Sequence, residues 1–169
     1  EIFPEFEKKC ACSVKILSVG DGAQLVGRLE LDRERGKPTA HVVVGLDQHL
    51  WDRAKDLIEP WGKWQPKRFD LIGQDLRVGP AGGGFLPFDY GIFAMMSDQV
   101  ALKELKIAEP RKLDDLLSPL FRRNIILEDP RTSTPGLAFL LYTKEVYKEA
   151  VWRYWKKLRP QWLAMTPGW

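Results

Sequence analysis

The sequence predicts an α/β fold built on an open sheet, and three observations carry that expectation. From Ser13 to Leu57 the hydrophobic pattern runs strand, helix, strand, helix. His41 to Leu46 (HVVVGL) is a continuous apolar run, of the kind buried on both faces of a parallel sheet. Asn124 to Leu141 (NIILEDPRTSTPGLAFLL) sets out a short apolar strand, a polar loop, two hydroxyl residues, a proline and a helical stripe. Strands joined by helices form open sheets with right-handed crossovers. Ligands of such sheets bind beyond the carboxyl ends of the strands.

The elements follow in order. Glu1 to Lys9 reads as the tail of a helix with Ile2, Phe3 and Phe6 inward. In Cys10-Ala11-Cys12 the single intervening residue is short for a relaxed disulfide, so a strained ring and two free thiols both stay open. Ser13 to Val19 (SVKILSV) alternates like a strand. Gly20-Asp21-Gly22 makes a turn, and Ala23 to Glu34 a helix burying Leu25, Val26 and Leu29. Asp47 follows the HVVVGL strand, and Gln48 to Leu57 is a further helix. Glu59 to Gly84, rich in Pro, Gly, Trp and Lys, is mostly loop, with a short strand or turn near Phe69 to Ile72. Phe85 to Met96 is a strand whose Tyr90 to Met96 part is apolar enough to be buried and to cross between two lobes. Ser97 to Lys106 holds a short helix, and Pro110 to Leu120 a helix with Leu113, Leu116 and Leu117 inward. After the Asn124 to Leu127 strand, Leu137, Leu140, Leu141, Tyr147, Val151, Tyr154 and Leu158 form one helical stripe. Pro160 stops that helix, Leu163 to Met165 is a strand, and Thr166 to Trp169 is a turn.

Composition narrows the function classes. The chain has 169 residues, enough for one domain or two small lobes, and its 44% hydrophobic content supports a true core. No apolar run reaches the roughly 18 residues of a membrane-spanning helix. The net charge of +3 is spread among 23 acids without a basic block, so nucleic acid is not an expected partner. Two cysteines one residue apart and only His41 and His49 make zinc an unsuited ligand, and no metal site is expected.

The chemistry concentrates at two helix starts. The amides of Gly136, Leu137 and Ala138 have no partner within their helix. Ser133 and Thr134 set hydroxyls beside them, and Gly136 lets another group come close to the backbone. That is a site for phosphate or carboxylate; the alternative is that Ser133 or Thr134 simply caps its own helix. At the other start the amides after Gly22 could hold an anion and Asp21 could face a cation, or the turn could be only a turn. A phosphate-handling enzyme would need a general base or nucleophile at the anion site. Neither histidine shares a motif with Ser133, and no GxxxxGK[ST] is present, so no catalytic residue is assigned.

Several stretches occur together in one order: CAC before an alternating strand, GDG at 20–22, VVVGLD at 42–47, LPFDYGIFA at 86–94, EDPRTSTPGLAFLL at 128–141 and TPGW at 166–169. This set resembles the periplasmic thiamine-binding proteins of bacterial ABC importers, which belong to the two-lobed solute-binding proteins of the type II fold. The resemblance implies open mixed sheets flanked by helices, with a first lobe at 1–87, a crossing strand or hinge at 88–96 and a second lobe at 97–169. It also implies that the chain is incomplete, lacking a first strand and everything after Trp169. It implies ligand contacts from Asp21, Gly22, Ser133, Thr134 and Trp169, with Asp47, Asp89, Tyr90 and Gly136 as further ligand or hinge candidates. Arg131 would pair with Asp129 or another loop carboxylate and shape its loop. The implied function is capture of thiamine, thiamine monophosphate or thiamine diphosphate in the periplasm and delivery to an inner-membrane permease. No cofactor and no chemistry are implied, and the complete protein would be a monomer. The runner-up is a type II binding protein for another solute, such as ferric ion, a polyamine or a phosphorylated metabolite.

Overall fold

The structure, a computed structural model, describes residues 3–64, 66–80 and 83–168. Trp169, Glu1 and Ile2 lie outside the described residues.

The amino-terminal half is built from helices and extended chain. Helix α1 (Phe3–Cys10) buries nothing: Phe3 and Phe6 are 47% and 54% exposed, against the inward placement expected from the pattern. Cys10 and Cys12 are joined in a disulfide. Helix α2 (Gly22–Glu34) starts one residue from where the sequence puts it. Its fully buried apolar residue is Val26, while Leu25 and Leu29 are only half-buried. The turn before it needs Gly20, whose φ of +101° lies in the left-handed region. The helix expected over Gln48 to Leu57 is shorter: a 3-10 turn at Gln48–Leu50 runs into α3 (Trp51–Ala54). Val26, Leu50 and Ala54 form a small core, with Leu46, Leu57 and Phe85 packed on it. Among the described residues of 59–84 the chain is loop with three 3-10 turns, and Arg77 ties it together by donating to the Ile72 and Phe69 carbonyls over the Phe69 ring. One antiparallel bridge, Val78 to Phe85, closes it.

Three expected strands are extended but unpaired. Residues 13–19, 41–46 and 86–96 make no sheet ladder among the described residues. A strand is defined by its partner, and an apolar run without one leaves its side chains in water. Val42 is 77% exposed, and Tyr90 and Ile92, expected to be buried, are 75% and 87% exposed.

The carboxy-terminal half has the larger core. Helix α4 (Gln99–Glu104) is capped by Asp98, whose carboxylate accepts from the Val100 and Ala101 amides. The helix expected over Pro110 to Leu120 is replaced by 3-10 turns at Leu113–Leu117 and Pro119–Phe121, with Leu116 buried as its spacing predicts. Strand β1 (Ile125–Glu128) leads through a loop to α5 (Thr134–Tyr147), α6 (Val151–Leu158) and β2 (Trp162–Thr166). The two strands are parallel, pairing Ile126 with Ala164 and Glu128 with Thr166, which makes a β-α-β unit. The single long helix expected from Leu137 to Leu158 is two helices. Lys148 takes φ +46° and ψ −123°, which no α-helix accommodates, and Leu141 is left 37% exposed. Leu116, Phe121, Ile125, Leu127, Tyr154 and Leu158 form the core. Tyr154 stacks on Tyr147 at 4.3 Å and donates to the Leu113 carbonyl.

The joint between β1 and α5 is tight. A Cβ on Gly136 would lie 2.6 Å from the Glu128 carbonyl oxygen and 3.0 Å from the Asp129 carbonyl carbon. Backbone cannot yield there, so Gly136→Ala is expected to destabilise the chain by about 1–3 kcal/mol. Gly27, inside α2 with nothing within 4 Å of its would-be Cβ, is the control. Gly27→Ala should stabilise by roughly 0.5–1 kcal/mol through helix propensity. Urea unfolding followed by circular dichroism reads both, and equal shifts of one sign would contradict the packing described.

Candidate ligand-binding site

Three helix starts meet where the two halves touch. Asp21 caps α2: its carboxylate accepts from the Gly22 amide, and Gln24 Oε1 accepts from the Asp21 amide in return. Asp47 caps the Gln48–Leu50 turn, accepting from the His49 amide at 2.8 Å. Ser133 caps α5, its hydroxyl accepting from the Gly136 amide at 3.2 Å. Thr134, the first residue of α5, donates its hydroxyl to Asp47 Oδ2 at 2.7 Å and stands 3.4 Å from Asp21 Oδ1. Gly22 packs into the same junction. A Cβ there would stand 2.6 Å from Leu50 Cδ1 and 3.5 Å from Thr134 Oγ1. The absent side chain makes room for Leu50, while Thr134 would stand at ordinary contact distance.

The structure therefore brings Asp21, Gly22, Asp47 and Thr134 together from opposite ends of the sequence. Asp47, Asp89, Tyr90 and Thr134 also line one groove of about 1420 Å³, walled by residues 41–47 and 84–91. Asp89 and Tyr90 are exposed on its outer part. Ser133 and Gly136 lie behind the junction. Ser133 is 2% exposed, and its hydroxyl donates to the Glu128 carboxylate while accepting from Gly136. The group that comes close to Gly136 is the Glu128 backbone. Of the two readings open at α5, self-capping describes the Gly136 amide. Glu128 was not singled out in the sequence; a carboxylate closing a strand five residues ahead of a capping serine was the available signal.

The loop between β1 and α5 is held from both sides. The Asp129 amide donates to the Thr166 carbonyl at 2.8 Å, and the Thr132 hydroxyl to the Pro167 carbonyl at 2.8 Å. Gly168 is close enough that a Cβ on it would sit 3.6 Å from Asp21 Oδ2. Asp129 accepts from the Arg131 guanidinium and from the Arg131 amide, the pairing expected from the sequence. Those bonds hold the Asp129 carboxyl down from 3.8 to about 2.

A sequence profile of bacterial extracellular solute-binding proteins matches residues 38–166. The chain belongs to that family. It is 36% identical over 164 residues to the thiamine-binding periplasmic protein of Brucella abortus, an alignment covering 97% of this chain and 46% of that protein. Against the Escherichia coli thiamine-binding periplasmic protein it is 34% identical, over 97% of this chain and 47% of the relative. A solved periplasmic thiamin binding protein superimposes with a TM-score of 0.74 at 33% identity, covering 99% of this chain and 49% of that one. AfuA from Actinobacillus pleuropneumoniae superimposes at 0.70 with 21% identity, a likeness of fold alone. The expected α/β periplasmic-binding-protein fold of type II is thus the fold of this chain, which spans about half the length of the relatives it matches.

Because the folded Asp129 pKa is depressed, its contribution to stability is present above about pH 4 and is lost as pH falls through about 2. Carboxyl-carbon NMR titration should place its midpoint near 2, and Arg131→Ala should return it toward the ordinary carboxylate value. A midpoint unmoved by that substitution would remove Arg131 as the cause.

Proposed function

We propose that this chain is part of the periplasmic solute-binding component of an ABC importer, which takes up thiamine and its phosphates and hands them unchanged to an inner-membrane permease. The observation carrying this reading is the Thr134 to Asp47 hydrogen bond, which sets the start of α5 against the capping carboxylates of the other half. The 36% identity to a thiamine-binding periplasmic protein across nearly all of this chain supports the choice of solute. In this reading residues 1–87 and 97–169 belong to two lobes and 88–96 cross between them. The two separate cores, one drawn from residues 26–85 and the other from 102–162, support that division.

The chemistry suits the ligand class. Thiamine carries a fixed positive charge on its thiazolium ring, and Asp21 and Asp47 supply carboxylates at the junction. Tyr90 offers an exposed aromatic face along the same groove. A phosphate on the ligand would lie near the positive end of α5 and accept from the Thr134 hydroxyl once that hydroxyl turns away from Asp47. Ser133 holds that helix end in place, and Trp169 is a further cleft contact in this reading. The protein works as a monomer, needs no cofactor and catalyses nothing.

Calorimetric titration of the purified protein with thiamine, thiamine monophosphate and thiamine diphosphate tests the reading. Binding of at least one is expected. Asp47→Asn should weaken all of them by about tenfold, the scale of one charge-assisted contact. Thr134→Ala should weaken the phosphorylated forms more than thiamine itself. No heat with any of the three ligands ends the thiamine assignment, and heat with ferric ion or spermidine instead would move it to another solute of the same family.

A further inference from the structure

The cysteine pair belongs to neither core and takes no part in the junction. Cys10, Ala11 and Cys12 are all exposed, and the disulfide closes over a single residue. That residue, Ala11, takes φ +51°, in the left-handed region that a side chain with a Cβ occupies only at a cost. The 169 residues contain two cysteines, so the pair is a two-electron couple with no third thiol of this chain to compete for either sulfur.

The surroundings of the pair are equally open. Helix α1, which ends on Cys10, buries no side chain. The chain after the helix bonds back to it through Glu7, whose carbonyl accepts from the Cys12 amide at 3.3 Å and whose carboxylate accepts from the Val14 amide at 2.7 Å. Residues 13–19 then run on as extended chain with no ladder partner among the described residues, and Ile16 is 69% exposed. An extended stretch of this kind can add to the sheet edge of another protein through its backbone. A disulfide packed in a core is shielded from thiolates, whereas an exposed one whose closed form holds the backbone in a costly conformation is open to exchange.

We propose that Cys10–Cys12 is a redox-active disulfide that exchanges with a dithiol oxidoreductase, which grips the extended 13–19 stretch while its thiolate attacks. A mixed disulfide forms as the Cys10–Cys12 bond breaks, and the released cysteine leaves as a thiolate and takes a proton from water. The partner's second thiol gives up its proton and attacks the mixed disulfide. The other cysteine is released and protonated in turn, and the partner departs with its own disulfide. The partner's two thiols thus supply two electrons and two protons overall. Opening the pair releases Ala11 from the closed ring and leaves the two bonds to Glu7 to hold α1 to the chain that follows. The groove at the junction takes no lining residue from 1–19, so the exchange is independent of which solute is held.

The test uses the whole chain, with reduced thioredoxin as the protein dithiol and dithiothreitol as the small one. Samples are quenched in acid, alkylated and weighed to count free thiols. Dithiothreitol is expected to open the pair in native buffer within about threefold of its rate in urea, since nothing in the fold shields it. Thioredoxin should be at least about tenfold faster than dithiothreitol at equal concentration. Ile16→Pro, which removes one exposed amide from the extended stretch, should slow thioredoxin and leave dithiothreitol unchanged. Ala11→Gly should move the equilibrium with thioredoxin about fivefold toward the disulfide, because glycine occupies the left-handed region freely. A pair protected in native buffer overturns the proposal, as does thioredoxin no faster than dithiothreitol. So does an equilibrium unmoved by Ala11→Gly, or an Ile16→Pro variant that changes both rates or neither.

Discussion

One serine hydroxyl fixes the edge of the carboxy-terminal half that meets the rest of the chain. Ser133 accepts from the Gly136 amide in the first turn of α5 and donates to the Glu128 carboxylate at the end of β1. A cap of this kind contributes about 1 kcal/mol, but its larger effect is geometric. With Gly136 pressed against the Glu128 carbonyl, the helix can leave the strand in only one direction. The bonds from Asp129 to Thr166 and from Thr132 to Pro167 then tie the intervening loop to the end of β2. Thr134 is delivered to the junction by a strand, a neighbouring strand and a helix at once. Its hydroxyl is held there against the Asp47 carboxylate.

The electrostatics of the junction follow from what caps each helix. A helix start carries about half a positive charge. At α5 the cap is a neutral hydroxyl, itself bonded to the Glu128 carboxylate, which offsets part of that charge. At α2 and at the turn leading into α3 the caps are carboxylates, each of which outweighs the helix end it touches. Thr134 sits between the two regimes, its hydroxyl donating toward Asp47. The junction thus offers an acidic side from the amino-terminal half and a weakly positive side from α5. A molecule with a cationic ring and an anionic tail matches both, while a simple anion meets two carboxylates and a simple cation forgoes the helix end.

The sequence exposed what depends on local chemistry. Asp21 after glycine and Ser133 before Thr-Pro-Gly both cap where their side chains and neighbours say they should. Strands β1 and β2, the Leu116 to Leu158 core and the Arg131 to Asp129 pair were legible for the same reason. What was not legible depends on distant partners. SVKILSV, HVVVGL and FLPFDYGIFAMM have strand patterns, but a ladder requires a second strand, which none of them finds among the described residues. The break at Lys148 was hidden because the apolar stripe continues through it, and the stripe reports burial but not backbone continuity. The contact of Thr134 with Asp47 spans 87 positions, and no local pattern encodes it.

These two kinds of element divide the labour of the groove. Its inner end is made of helix starts held by side-chain caps, so it resists deformation and can discriminate charge. Its walls, residues 41–46 and 86–91, carry backbone groups with no partner among the described residues and side chains such as Val44 and Phe88 that are 65% and 72% exposed. Segments with few hydrogen bonds and little packing occupy the low end of local stability. Ligand-induced movement draws on that end, because reshaping it breaks little. In the proposed reading, polar recognition would fall to Asp21, Asp47 and Thr134, and adjustment to the ligand's shape to the extended walls. In that reading, a substitution that stiffened the walls would change how fast a solute enters or leaves, whereas one at the caps would change which solute is held.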